Sequence, residues 1–326
     1  MGPLRLLPLL AAFVLAAAAC GPASPSPAPS TASPDAACAS APEVAGADGW
    51  GPPATTPTLI PFLVSNNITC GHPRMLFLYL DSENRVVSAP DRTASVAFFN
   101  LARDPNTPVA TAAGTFVWTI QDERGMYAID VDLPEAGLWG AEFTTEAPDS
   151  PPETVRLTFT VLDEPTAIAV SQPAPASKTP TLADVGGDVS KISTDATPTP
   201  AFYETSVASA LAAHEPFILI FATPKFCQTA QCGPTLDQFK LIAAAHPDVT
   251  FINVEPYELE DVGGQLQPVL DTNGQLVATD VTREWGLLAE PWIFAVDRAG
   301  IVRGSYEITI ADQELDEILP VITAGG

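Results

Sequence analysis

Cys227 and Cys232, with Gln228, Thr229, Ala230 and Gln231 between them, are the residues whose type and spacing most plainly admit chemistry. Two thiols can pass a pair of electrons by exchange with a partner's disulfide, or close for good as a staple. Residues five apart in a regular helix are displaced by about 7.5 Å along its axis and point about 140° apart. Their Cα atoms then lie beyond the ~7 Å limit for a bridge. The pair can therefore bridge only if Cys227 sits in a loop that folds back. Gly233 and Pro234 come next, and proline suits the first helical position, where its missing N–H costs nothing. Cys232 is thus expected at a helix N-terminus, where free N–H groups and the dipole stabilise a thiolate. Lys225 adds positive charge nearby. On these grounds Cys232 is the more acidic thiol, while which sulfur attacks stays open.

The other cysteines are Cys20, Cys38 and Cys70. Residues 1–20 read MGPLRLLPLLAAFVLAAAAC, with Arg5 as a positive n-region and 6–19 as an apolar stretch. That stretch is shorter than the ~20 residues a bilayer span needs and has the build of a signal peptide. The run Ala17-Ala18-Ala19-Cys20 resembles a bacterial lipobox, with Ala17 where such motifs usually carry leucine. The resemblance implies lipidation of Cys20, an anchor in the cell membrane and a chain facing outside the cytoplasm. Disulfides persist there. Residues 21–58 are dominated by Pro, Ala, Ser and Thr and read as a disordered tether, since such sequence buries too little apolar surface to offset its ordering entropy. Cys38 and Cys70 could pair and tie that tether down, although nothing in their spacing demands it.

The elements that must position these residues span 326 positions, room for about two domains. The 34 prolines cluster, which marks linkers. A net charge of −25, from 14 Lys+Arg against 39 Asp+Glu, repels phosphate backbones and excludes nucleic acid as a partner. Residues 59–163 carry candidate strands at 59–64, 74–80, 95–100, 114–121, 126–132, 140–145 and 155–162, separated by turn signals. The run Gly125-Met126-Tyr127-Ala128, then Asp132-Leu133-Pro134-Glu135-Ala136-Gly137-Leu138-Trp139, resembles extracytoplasmic immunoglobulin-like modules. The resemblance implies an all-β sandwich with Tyr127 and Trp139 in its core. His72, Met75 and Met126 offer no convergent ligand set, so no metal site is expected here.

Residues 164–200 read as a second linker, packed on the next domain. Beyond it come a helix at 203–213, a continuous apolar strand at 216–222, the cysteine loop, a helix at 236–245 and a buried strand at 249–254. A long connection over 255–282 contains Asn273-Gly274, a turn signal. A strand pair at 292–296 and 301–306 and an amphipathic helix at 312–322 close the chain. This order resembles the thioredoxin family over residues 201–326. Phe221 to Cys227 stands where that family has a strand end, an aromatic and its first active cysteine, and Cys232-Gly233-Pro234 opens the next helix. Glu290-Pro291 stands where the family has its cis-proline loop, which lies against the cysteines and helps bind extended substrate. The chain departs from the family in placing four residues, not two, between the cysteines.

Two domains are therefore expected, an all-β immunoglobulin-like sandwich followed by an α/β thioredoxin-like domain. The resemblance implies thiol–disulfide exchange through Cys227 and Cys232 with exported proteins or a membrane redox partner, without a cofactor. A different class is a non-enzymatic binding or scaffold lipoprotein with a structural Cys227–Cys232 disulfide. Sco-type copper-delivery proteins, with two cysteines separated by three residues and a distant histidine, are a third. His214 and His246, which would have to supply that ligand, precede the first strand and follow the first helix after the cysteines, away from the expected cysteine face.

Overall fold

The computed structural model describes residues 38–324 apart from 54 and 149. The expected signal peptide, Cys20 and the expected tether as far as residue 37 lie outside the described residues.

Eight strands fill the first half: β1 Ile60–Leu63, β2 Arg74–Leu80, β3 Thr93–Asn100, β4 Ala110–Ala113, β5 Thr115–Ile120, β6 Arg124–Asp130, β7 Gly137–Ala147 and β8 Ser150–Val161. They make two antiparallel sheets, ordered β1-β2-β6-β5 and β4-β3-β7-β8. Alternate residues point to one face of a strand. Phe77, Tyr79 and Tyr127 from the first sheet thus meet Val96, Phe98, Trp139 and Phe143 from the second in one core. The result is sandwich-like. Trp139 donates its indole N–H to the Glu135 carbonyl at 3.0 Å, and the Tyr127 hydroxyl donates to the Ala89 carbonyl at 2.9 Å. Both large rings are buried without an orphaned donor. Of these strands, β4 has no counterpart among the candidates, because its sequence ATAA carries no β-branched or aromatic signal beyond one threonine. It forms by pairing with β3 at the sheet edge.

The tether expected over 21–58 is corrected in its second part. Ser40 bridges to Ala136, and Trp50 is 6% exposed, packed on Phe99 and Leu101. Its indole N–H donates to the Pro105 carbonyl at 3.0 Å, and the Arg156 guanidinium lies 4.8 Å above its ring. Gly140 makes the room, since a Cβ there would overlap the Trp50 ring. A single tryptophan can bury ~200 Å², so one anchor docks a segment whose average composition predicts disorder.

The second half contains α1 Val207–Ala212, β9 Phe217–Phe221, α2 Cys232–Ala245, β10 Thr250–Val254, β11 Leu259–Asp261, β12 Leu266–Pro268, α3 Asp280–Glu284, β13 Trp292–Val296, β14 Val302–Glu307 and α4 Asp312–Thr323. One mixed sheet runs β10-β9-β13-β14, with β9 parallel to β10 and β13 antiparallel to both β9 and β14. Every residue of β9 is buried because both faces are covered. Ile218 and Ile220 pack with Leu236 and Phe239 of α2 and Leu315 and Ile318 of α4. Phe217, Leu219 and Phe221 pack with Val207 of α1 and with Trp285. The linker over 164–200 is packed here too: Ser171 and Gln172 exchange backbone hydrogen bonds with Val302, and Ser177 accepts the Trp285 indole N–H at 3.0 Å.

The two halves touch directly. Arg74 of β2 pairs with Glu314 of α4, the Asn66 amide donates to Glu307 of β14, and Leu76 and Met126 share an apolar cluster with Ile308.

Candidate functional site

The chain leaves β9 at Phe221, passes the buried Ala222 and Thr223, and forms a loop that returns to the first residue of α2. Cys227 lies in that loop and Cys232 opens the helix, as the bridging geometry requires. The two are joined by a disulfide with their Cα atoms 6.0 Å apart.

The sulfurs occupy different surroundings. Cys232 is 0% exposed and belongs to the core with Ile220, Leu236 and Phe239, whereas Cys227 is only partly buried. The Cys232 backbone N–H donates to Cys227 Sγ at 3.1 Å, and the Thr229 hydroxyl oxygen lies 3.4 Å from the same sulfur. Sequence reasoning puts the helix N–H groups to work on Cys232. The first-turn amides of a helix point back along the axis, and the one that meets a sulfur, the Cys232 N–H, meets that of Cys227.

Of Glu290 and Pro291, expected beside the cysteines on family resemblance, Glu290 has a ligand-capable atom within 4.8 Å of those of Cys227 and Cys232. Their peptide bond is cis, and Pro291 leads into β13 with its carbonyl accepting the Ile308 N–H at 2.8 Å. Glu290 is 3% exposed and makes three contacts, two of them to the cysteine loop. Its Oε1 accepts the Gln228 N–H at 2.7 Å, its Oε2 accepts the Tyr257 hydroxyl, and its backbone carbonyl accepts the Thr229 hydroxyl at 2.8 Å. Gln228 Nε2 also reaches the Tyr257 hydroxyl, at 3.0 Å. Burial pushes the Glu290 carboxyl above its usual range against the pull of the Tyr257 and Gln228 donors. The Tyr257 phenol is pushed up by burial and by the neighbouring Glu290.

The long connection over 255–282 supplies Tyr257 and leans on the loop again where Lys225 Nζ donates to the Leu266 carbonyl at 3.0 Å. From the other side, Gln231 is buried and its amide Nε2 donates to the Thr119 carbonyl of β5. Tyr257, Gln228, Thr229 and Gln231 are site residues that the sequence does not single out. Their partners stand 29 to 112 positions away, beyond the reach of any local pattern.

One ligand-capable atom from each of Cys227, Cys232 and Glu290 lies within 4.8 Å of the others. Neither histidine weighed as a copper ligand joins them. His214 Nδ1 lies 3.2 Å from the Arg298 carbonyl, and His246 caps the far end of α2 from Cys232. Cys38 and Cys70 are joined by a disulfide with a Cα separation of 6.2 Å, which ties the N-terminal segment to the loop before β2.

No protein-family model matches the chain, and no curated protein matches it. Among solved structures, the crystal structure of MtrC from Shewanella baltica OS185 aligns at 13% identity with a TM-score of 0.24, over 59% of this chain. The aligned part is 33% of that chain's length. A likeness at that score carries no inference about fold or activity.

Proposed function

We propose that this chain is a lipid-anchored extracytoplasmic protein whose thioredoxin-like second half exchanges disulfides with exported partners through Cys227 and Cys232. The observation that carries the proposal is the asymmetry of the two sulfurs. Cys227 is within reach of a partner and receives the helix amide, while Cys232 is enclosed behind it. In the reduced protein, the Cys227 thiolate attacks one sulfur of a partner disulfide, and the other partner sulfur leaves as a thiolate that takes up a proton. Cys232, deprotonated in turn, attacks Cys227 Sγ and releases the partner's first sulfur as the second thiol. Two electrons pass from the cysteine pair to the partner, and the reverse sequence oxidises a partner dithiol; the relative potentials set the direction.

Further support comes from the strand order β10-β9-β13-β14, with the cysteines at the turn from β9 into α2 and Glu290-Pro291 leading into the neighbouring β13. The loop is also held by Glu290, through contacts that do not involve the sulfurs. Cys20 as the lipid attachment point rests on its lipobox-like setting. The sandwich half is assigned to an immunoglobulin-like module.

The complete burial of Cys232 favours a second reading, a scaffold lipoprotein with the bridge as a staple. Equilibration in dithiothreitol redox buffers separates the two. Exchange predicts a reduction potential above about −300 mV and a Cys232→Ser variant that accumulates a mixed disulfide with glutathione at Cys227. A potential well below that value, with no adduct on Cys232→Ser, would establish the staple.

A further inference from the structure

Cys227, Cys232 and Glu290 belong to two stretches of chain that meet only in the fold, the entry to α2 and the approach to β13. One ligand-capable atom of each lies within 4.8 Å of the other two. While the disulfide is closed, its sulfurs have no charge to offer a cation. Once it is reduced, the same three residues can turn two thiolates and a carboxylate on one point. A tetrahedral ion with metal–sulfur bonds of about 2.3 Å and a metal–oxygen bond of about 2.1 Å holds its ligand atoms about 3.6–3.8 Å apart. The cluster already lies within that compass, apart from the sulfurs, which part when their bond is cut.

The donor set selects the metal. Thiolates suit soft cations and carboxylates suit hard ones. Zinc accepts both kinds, whereas magnesium and calcium take oxygen ligands. The supporting contacts are also those of a metal site, in which the ligands are themselves hydrogen-bonded and so held in orientation. Glu290 Oε1 accepts the Gln228 N–H and Oε2 accepts the Tyr257 hydroxyl. A carboxylate has about four lone-pair sites, so these two donors leave room for a metal. Cys227 Sγ accepts the Cys232 N–H at 3.1 Å. Cys232 and Glu290 are buried, while Cys227 is only partly so, which gives a cation its way in and a water the fourth position.

We propose that the reduced protein binds one zinc ion through Cys227, Cys232 and Glu290, and that closing the disulfide releases it. The proposal rests on the exchange reading above only in requiring that the pair be reducible in the folded protein. A partner dithiol supplies two electrons and two protons to open the bridge. Each thiol then gives its proton to solvent as its sulfur takes the metal. Reoxidation by a partner disulfide returns the two electrons to that disulfide, which takes two protons from solvent, and the zinc leaves.

The test uses the full chain, reduced with dithiothreitol, desalted without air and titrated with zinc against a chromophoric chelator. Alkylation and peptide mapping report whether Cys227 and Cys232 carry free thiols. One zinc per chain is expected in the reduced protein and none in the oxidised protein, with no uptake of magnesium by either. Cobalt in place of zinc should show sulfur-to-metal charge transfer, and Cys227→Ser should abolish both the tight site and that signal. Glu290→Gln keeps an acceptor for the Gln228 N–H and should weaken zinc binding at least tenfold with its circular dichroism unchanged. If that variant fails to fold, Tyr257→Phe should weaken binding by about 10–100-fold, as the loss of an outer contact to a ligand does. No zinc uptake by protein with both thiols free would overturn the proposal and leave the exchange reading standing. Unaltered affinity in a folded Glu290→Gln protein, or in Tyr257→Phe where it replaces that variant, would overturn it as well, as would a tight site that survives Cys227→Ser. A pair that stays oxidised in the folded protein would overturn both readings.

Discussion

Replacing Glu255 with glutamine should change how stability depends on pH, in a direction and by an amount set by its burial. Desolvation lifts the Glu255 carboxyl from 4.5 to about 7, against the opposing pull of Thr223 and Thr194. The unfolded chain releases this proton near the ordinary value, while the folded protein holds it until about pH 7. Between those limits the unfolded state binds fewer protons, so stability falls as pH rises. The loss is complete above the folded value, and at 1.36 kcal/mol per tenfold change it amounts to about 3 kcal/mol. Glutamine keeps the shape and the acceptor for Thr194 but has no proton to lose. Glu290 and Glu307 are also raised by burial, so the slope of the parent protein alone does not isolate Glu255. The informative quantity is the difference between parent and Glu255→Gln in urea unfolding free energy, measured at about pH 4.5 and pH 8. It should move by about 3 kcal/mol in favour of the variant across that interval. A difference that stays constant within about 0.5 kcal/mol would refute the assignment of a raised carboxyl to this position.

Glu290→Ala strips the Gln228 N–H and the Tyr257 hydroxyl of their acceptor. It should cost about 2 kcal/mol in urea unfolding and speed amide exchange across 227–231, whereas unchanged exchange would mean that the loop does not depend on this clamp. Opening the Cys38–Cys70 bridge by Cys38→Ser releases a loop of sequence separation 32. Chain entropy puts that at about 3–4 kcal/mol, to be read from the shift in urea midpoint with the Cys227–Cys232 pair kept oxidised. Trp50→Ala removes the anchor of the 38–58 segment. Limited proteolysis should then cut within that segment at a protease dose the parent resists, while the sandwich core stays intact by tryptophan fluorescence from Trp139.

The elements near the cysteines are legible in the sequence because their signals are local. The apolar run at 216–222 contains β9, Gly233-Pro234 sits in the first turn of α2, and residues 312–322 fall within α4. The spacing of Cys227 and Cys232 is enough to require a loop ahead of the helix, since that requirement comes from helix geometry alone. The surroundings of the sulfurs are not legible. Which sulfur the α2 amides meet depends on how the loop folds over the helix start, and Tyr257 reaches Glu290 only because a long connection turns back. Trp50 escapes notice for the opposite reason: an isolated aromatic in Pro- and Ala-rich sequence shows no periodicity, although one such side chain can dock a segment. The Thr194 donors that hold Glu255 likewise come from the 164–200 segment, whose composition reads as a linker.

The contact between Gln231 and Thr119 has a mechanical meaning. Gln231 directly precedes Cys232, so the first turn of α2 is pinned to the end of β5, one strand of the β5–β6 hairpin. That hairpin and the residue beside the buried sulfur are one hydrogen bond apart. The residue beside the buried sulfur is thus held by a strand of the other half of the chain, one tie beside the Leu76, Met126 and Ile308 cluster.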